Sequence, residues 1–125
     1  MIKLIFCVHR LPHLSRDQFQ RYWFESHGPL VRRHGEALHI RRYVQVHTLE
    51  DPINEALRAG RGTVEPYDGV AELWWDSSED LQAAISTPQG QQAGLELLED
   101  ERRFIDLSRS TLWIGQERPV IEADS

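Results

Sequence analysis

Two segments of this chain have the pattern of β-strands that are apolar on both faces, which leaves few possible folds. Aliphatic residues occupy both odd-numbered and even-numbered positions in residues 2–9. In residues 70–75, Trp74 and Trp75 are adjacent and therefore point to opposite sides of a strand. An antiparallel sheet with one side in water alternates apolar and polar residues instead. Since a monomer rarely exposes an apolar patch of more than a few hundred Å², we expect both faces of the sheet to be covered.

The other segments predict two more strands and two long helices. Residues 41–48 and 111–117 have the alternating, β-branched pattern of strands. Helical periodicity begins after Ser15 and again after Ser77 or Ser78, and serine is a good N-cap. The order β-α-β-β-α-β predicts a ferredoxin-like α+β fold, with both helices on one face of a four-stranded antiparallel sheet.

Both long helices are predicted to be interrupted by proline. Pro29 lacks a backbone donor and disfavours the helical region for Gly28, so the first helix should break at His27 and restart at Pro29. Thr87-Pro88 should break the second helix in the same way. The apolar stripe of that helix is expected to comprise Leu81, Ala84, Ile85, Leu95 and Leu98. The first interruption places His27 at a helix discontinuity.

The length of 125 residues predicts one domain. We expect this domain to span residues 1–117, with a short helix and loop inserted at 49–66 and a flexible acidic tail at 118–125. Fourteen Lys+Arg against twenty Asp+Glu give a net charge of −6, which repels nucleic-acid phosphates and anionic membranes. The expected partner is therefore a small-molecule substrate, with no nucleic acid and no membrane.

Cysteine usage and the N-terminus predict a cytoplasmic protein. Cys7 is the one cysteine in the sequence, so no intramolecular disulfide can form and a reducing compartment is the simpler interpretation. The N-terminal apolar run is too short for a signal peptide, and no run is long enough to span a bilayer.

A second copy of the chain is the expected cover for the free sheet face, which predicts a homodimer that forms a two-sheet barrel. If the strand face that carries only apolar residues packs on the helices, the opposite face lines the barrel lumen. This lumen set comprises Ile5, Cys7, His9, Tyr43, Gln45, His47, Val70, Glu72 and Trp74. Apolar walls with a few polar groups are typical of ligand pockets.

Four ordered motifs together cover most of the chain. They are His27-Gly28-Pro29-Leu30 preceded by Phe19 and Tyr22-Trp23, then Tyr43-Val44-Gln45, then residues 67–74, and finally Asp100-Glu101 before Phe104-Ile105-Asp106. The chain with these motifs resembles the EthD-domain family, a branch of the dimeric α/β-barrel superfamily. The resemblance implies a ferredoxin-like protomer and a dimer. Similar folds include muconolactone methylisomerases, aromatic polyketide cyclases and quinone-forming monooxygenases, which work without metal or flavin.

The resemblance also implies three catalytic positions, because His27, Tyr43 and Glu72 match the methylisomerase pattern. A neutral His27 could act as a general base, or could merely cap the helix break. Tyr43 could donate a hydrogen bond to a developing enolate oxygen, or could serve only in packing. Glu72, with Val70 and Trp74 on the same face, could be an acid or could orient an imidazole, since burial would raise its pKa; a structural carboxylate paired with an arginine is the alternative.

Six further residues are candidates for substrate binding: Trp74, Tyr22, Trp23, His47, Gln45 and His9. Trp74 could be a stacking wall for a planar substrate or an ordinary core residue. The histidines show no tight ligand spacing, so we predict no metal site and no cofactor.

These observations favour a cofactor-independent enzyme of small-molecule catabolism or secondary metabolism. It would abstract an acidic C–H proton from an aromatic or lactone-like carbonyl compound, as an isomerase, cyclase or lyase does. One alternative is a cofactor-free monooxygenase of EthD type, and another is a non-enzymatic dimeric binding or accessory protein. Saturable turnover that depends on His27 would distinguish an enzyme from a binding protein.

Overall fold

The structure of the chain, a computed structural model, describes residues 1–123. Its elements are β1 (Ile2–Val8), α1 (Arg16–Tyr22), a π-helical segment (Trp23–His27), α2 (Gly28–His34), β2 (Arg42–His47), α3 (Ile53–Arg61), β3 (Gly69–Trp75), α4 (Ser78–Ile85), α5 (Pro88–Glu101), a 3₁₀ turn (Leu107–Arg109) and β4 (Thr111–Gly115). The last two residues of the predicted tail, Asp124 and Ser125, lie outside the described residues.

The four strands form one antiparallel sheet in the order β2-β3-β1-β4, which confirms the predicted ferredoxin-like α+β fold. The core lies between this sheet and the helices. Phe6, Val8 and Ala71 from the sheet pack against Phe19 and Trp23 from the first helix. Phe104 and Ile105, which follow α5, complete this cluster. The core is therefore built from both ends of the chain.

The first long helix is continuous, so the predicted break at His27 is wrong. Gly28 has helical dihedrals, with φ −53° and ψ −52°, and its backbone N–H donates to the Trp23 carbonyl five residues earlier. This is a π turn, which shifts the hydrogen-bond register by one residue and widens the helix. The wider turn accommodates the ring of Pro29 at the start of α2 without ending the helix. The second predicted interruption is confirmed, since α4 ends at Ile85 and Thr87 caps α5.

The predicted lumen set is partly wrong, because β2 presents its more polar parity to the helices. Tyr43 pairs with Leu73 and Gln45 pairs with Ala71, and directly opposed residues share a face. Tyr43, Gln45 and His47 therefore face the helices, whereas Glu72 and Trp74 lie on the other face. A change of one residue in register reverses both faces of a strand, so the polarity of β2 alone does not decide its orientation.

Two residues of the predicted stripe on the second helix are also outside the core. Ile85 and Leu95 are half or more exposed, whereas Ala84, Gly90 and Ala93 are buried. The helix restarts at Thr87 with a new rotation, so one continuous stripe does not run through α4 and α5.

The sheet face opposite the helices is not covered by the described part of the chain. Ile5 and Cys7 are half-buried there, and Val46 and Trp113 are 47% and 49% exposed. Trp74 on the same face is buried, because the charged groups of neighbouring side chains stack over its ring.

Candidate active site

A small cavity lies between the π-helical segment, the end of α5 and the sheet. Its volume is about 50 Å³, which is room for one or two water molecules. The polar residues that line it are His27 from the π turn, Tyr43 from β2 and Glu101 from α5. The remaining walls are apolar side chains of the core. Titratable groups in a space of this kind are candidates for acid–base chemistry.

His27 and Asp100 form a buried pair at one wall of this cavity. Nδ1 of His27 lies 2.7 Å from Oδ2 of Asp100, and the exposed fractions of the two residues are 4% and 6%. Oδ1 of Asp100 accepts a hydrogen bond from the Tyr22 hydroxyl at 2.6 Å and a second from Arg103 at 3.2 Å. Because a carboxylate only accepts, the proton of a neutral His27 lies on Nδ1 and the lone pair lies on Nε2.

The environment keeps the two partners in the states that base catalysis needs. Burial lowers the pKa of His27, although the hydrogen bond and charge of Asp100 oppose this effect. Burial alone would raise the pKa of Asp100, but the hydrogen bonds from Tyr22 and His27 hold it below its ordinary value. At neutral pH the imidazole is therefore neutral and the carboxylate is charged.

Glu101 is the second ionisable group of the cavity. Burial raises the pKa of Glu101 to about 7, and the neighbouring charge of Asp100 adds to the increase. A substantial fraction of Glu101 is therefore protonated at neutral pH. The cavity thus contains a neutral base and a carboxylic acid at the same pH, which is the combination that proton-transfer enzymes use.

A chain of hydrogen bonds fixes the orientation of the Tyr43 hydroxyl. The Trp23 carbonyl can only accept, so the amide nitrogen of Gln45 faces it at 2.9 Å and also donates to the Tyr43 hydroxyl at 2.8 Å. The amide oxygen of Gln45 then accepts from Nε2 of His47 at 2.8 Å. Burial raises the pKa of Tyr43 to about 12. The Tyr43 hydroxyl therefore keeps its proton, which is free to be donated to a ligand.

A groove of about 650 Å³ lies beside the cavity, between α2 and the edge strand β2. Val31 and Tyr43 line both spaces and so form the wall between them. The groove has the size of sites for small ligands, whereas the cavity is too small for any substrate in this conformation.

The structure brings six of the nine predicted site residues together on the helix side of the sheet. His27, Tyr43 and Gln45 lie there with the Trp23 ring, which stacks on His47 at 4.7 Å between centroids. Tyr22 joins them through its bond to Asp100.

The other three predicted residues lie elsewhere. Glu72 faces the opposite side of the sheet and pairs with Lys3 at 2.8 Å, not with an arginine. Trp74 lies on that same side, where its indole N–H donates to Glu117. His9 follows β1 and stacks on Tyr67. The three predicted catalytic residues therefore do not converge, because Glu72 has the opposite strand parity to Tyr43.

Sequence reasoning did not identify Asp100 and Glu101 as site residues. Their motif was recognised as part of the family resemblance, but nothing local indicates that Asp100 contacts a histidine 73 positions away. Both residues lie in the last turn of α5, and α5 contacts the π-helical segment.

No group of three or more His, Cys, Asp or Glu in residues 1–123 lies close enough together to hold a metal ion. Within the same range, no helix combines the length and apolar composition needed to cross a membrane.

Fold and site together define an α+β protein with a buried acid–base cavity on the helix side of a ferredoxin-like sheet. The model of the EthD domain matches residues 11–108, and the chain therefore belongs to the EthD domain family. No curated protein sequence matches the chain.

Solved structures share the fold at low sequence identity. An EthD family protein from Bacillus halodurans C-125 has 24% identity and a TM-score of 0.62, over 94% of this chain and 99% of that one. An EthD-like protein from Ralstonia eutropha JMP134 has 19% identity and a TM-score of 0.62, over 92% and 89%. A dimeric protein of unknown function with a ferredoxin-like fold, from Bacteroides fragilis NCTC 9343, has 10% identity and a TM-score of 0.57, over 93% and 95%.

Proposed function

We propose that this protein is a cofactor-independent enzyme that removes a proton from a carbon next to a carbonyl group of a small aromatic or lactone-like compound. The observation that carries this proposal is the buried His27–Asp100 pair, which shares one cavity with Tyr43 and Glu101. A base, a hydrogen-bond donor and a carboxylic acid are the groups that enolate chemistry requires.

In the proposed reaction His27 is the base, and Asp100 acts through it by orienting the imidazole. Nε2 of His27 takes the proton from the carbon, and the electron pair of the C–H bond becomes part of the enolate. The negative charge on the enolate oxygen is stabilised by a hydrogen bond from the Tyr43 hydroxyl. Asp100 stabilises the imidazolium that forms, because its carboxylate stays charged.

Glu101 completes an isomerisation by returning a proton. Its carboxylic acid protonates a different carbon of the enolate, and the proton on His27 then restores Glu101, so that no proton is gained or lost overall. Expulsion of a leaving group by the same enolate would make the enzyme a lyase, and attack on a second carbonyl would make it a cyclase. The substrate decides among these outcomes.

We propose further that the chain works as a homodimer. The face of the sheet opposite the helices carries Ile5, Cys7 and Val46 without a cover, and a large exposed apolar face is unfavourable in a monomer. A protein with a similar fold from Bacteroides fragilis is described as dimeric, which supports a dimer.

Hydrogen–deuterium exchange in the substrate tests the proton abstraction without knowledge of the product. A panel of lactones and aryl ketones would be incubated with the protein in D₂O, and loss of the acidic C–H signal would be followed by proton NMR. We expect the wild type to accelerate exchange for at least one compound. His27→Gln should slow this exchange roughly 10²–10⁴-fold, the range for a lost general base.

The matched control is His13→Gln, since His13 is exposed and lies outside the cavity. Equal exchange by wild type and His27→Gln would overturn the assignment of the base. Saturable binding of panel compounds without any exchange would favour the binding-protein alternative, and consumption of O₂ without exchange would favour the monooxygenase alternative.

A further inference from the structure

The groove beside the cavity has a positive lining in a protein that is negative overall. Arg32, Arg41 and Arg42 line the groove, and Glu25 is the one acid among its described lining residues. The whole chain carries a net charge of −6. Arginines therefore concentrate at a groove that lies beside the cavity of His27, although the field of the rest of the molecule repels anions.

Two of these arginines are available to a ligand in the groove. Within the described part of the chain, Arg32 takes part in no ion pair. The guanidinium of Arg41 lies 3.6 Å from Asp76, but both side chains are more than half exposed, and such surface pairs are weak. The guanidinium of Arg42 stacks 4.6 Å from the Trp74 ring centroid, on the sheet face opposite the helices, so this side chain turns away from the groove.

The rest of the groove fits an apolar, planar body. Phe24, Pro29 and Ile40 line it together with Val31 and Tyr43. A site with apolar walls and a few oriented polar groups selects ligands that have both features. The arginines supply the charge recognition, and only the side chains of Val31 and Tyr43 separate the groove from the cavity that contains His27.

We propose that the substrate is an aryl carboxylate whose carboxylate group is held by Arg32 and Arg41. Guanidinium groups recognise carboxylates through two parallel hydrogen bonds. The aromatic body then lies against the apolar walls of the groove, and the reactive carbon lies against Tyr43, which separates the groove from the cavity that contains His27. Only the position of the reactive carbon in this inference rests on the proposed function. A dianionic phosphate ester is disfavoured, because Glu25 lines the same groove.

Calorimetric titration with simple aryl carboxylates tests the inference. Benzoate, phenylacetate and 3-phenylpropionate would each be compared with the corresponding amide, which has the same shape and no charge. We expect saturable binding of at least one carboxylate and at least tenfold weaker binding of its amide, since the charge-assisted hydrogen bonds are lost.

Substitution of the arginines locates the binding. Arg32→Gln and Arg41→Gln, singly and combined, should weaken carboxylate binding, with at least a tenfold loss in the double variant. Arg33→Gln is the matched control, because Arg33 lies on the same helix, is exposed and does not line the groove. Unchanged binding by the double variant, equal binding of the amide, no carboxylate binding, or tenfold tighter binding of phenyl phosphate would overturn the inference.

His27→Gln separates this inference from the proposed function. We expect this variant to bind the carboxylate as the wild type does while it loses proton exchange. If exchange on neutral lactones depends on His27 but no carboxylate binds, the proposed substrate class is wrong and the proposed reaction stands. If carboxylate binding depends on the arginines but no compound exchanges, the proposed reaction is wrong and the substrate class stands.

Discussion

The carboxyl group of Asp100 gives His27 a defined tautomer. A histidine in an apolar cavity without such a partner could carry its proton on either nitrogen. The bond from Nδ1 to Asp100 leaves the Nε2 lone pair as the one basic position, and the bond from Tyr22 keeps the carboxylate charged. In the proposed reaction Tyr22 therefore acts as a positioning residue.

Glu101 should make the protein less stable as the pH rises. Its pKa is raised from an ordinary 4.5 to about 7, so between these values the folded state keeps a proton that the unfolded state has lost. The stabilising contribution is complete below about pH 4.5 and is lost as the pH rises through 7. At pH 8 we expect the free energy of unfolding of Glu101→Gln to exceed that of the wild type by roughly 1–3 kcal/mol. The difference should be smaller at pH 5.

Denaturant unfolding at several pH values measures this difference. The lowered pKa of His27 gives the opposite slope below pH 6.5, but that slope is common to both proteins and cancels in the comparison. Glu99→Gln is the control, because Glu99 is exposed on the same helix. A stability difference between Glu101→Gln and wild type that does not vary with pH would contradict the raised pKa.

At the scale of elements, the π turn places the site. It lets one helix pass through Pro29 while the Trp23 carbonyl accepts from both Gly28 and Gln45. The same turn carries His27 toward the end of α5. π turns are frequently found at functional sites because they reorient side chains without ending the helix.

The junction of α4 and α5 depends on a close contact that only glycine permits. A Cβ atom at Gly90 would lie 1.8 Å from the carbonyl oxygen of Ala84, whereas a Cβ at Gly94 would meet nothing within 4 Å. We expect Gly90→Ala to lower the free energy of unfolding by about 2–4 kcal/mol, since backbone must move. Gly94→Ala should raise it by up to about 1 kcal/mol through helix propensity.

Both variants would be compared by denaturant unfolding. They introduce the same methyl group into the same helix, so Gly94→Ala controls for composition. Similar effects of the two substitutions would show that the packing of α4 on α5 differs from the one described.

At the scale of the whole molecule, the uncovered sheet face should decide the oligomeric state. Light scattering after size-exclusion chromatography should report about twice the chain mass of 14.6 kDa. Val46→Asp places a charge on the proposed interface and should give a folded monomer, since an unpaired charge is costly to bury. Val64→Asp introduces the same charge in an exposed loop outside the sheet, and this variant should remain dimeric. A monomeric wild type, or a Val46→Asp variant that stays dimeric, would contradict the proposed interface.

The sequence by itself determined the element order and hence the fold. Helix periodicity and serine caps act over a few residues, so they are legible locally, and the structure has Ser15 as one cap and Ser77, of the two serines predicted, as the other. The order of these elements leaves the ferredoxin-like sheet as the arrangement that covers one face. Recognition of the family motifs was also possible, because those residues are contiguous in the chain.

Only the tertiary structure decided the site. The orientation of β2 depends on its register with β3, and a shift of one residue would have moved Tyr43 to the face of Glu72. The pairing of His27 with Asp100 joins residues 73 positions apart, and the raised pKa of Glu101 arises from burial by distant elements. Local periodicity carries no information on these contacts, because they exist only once the helices have packed on the sheet.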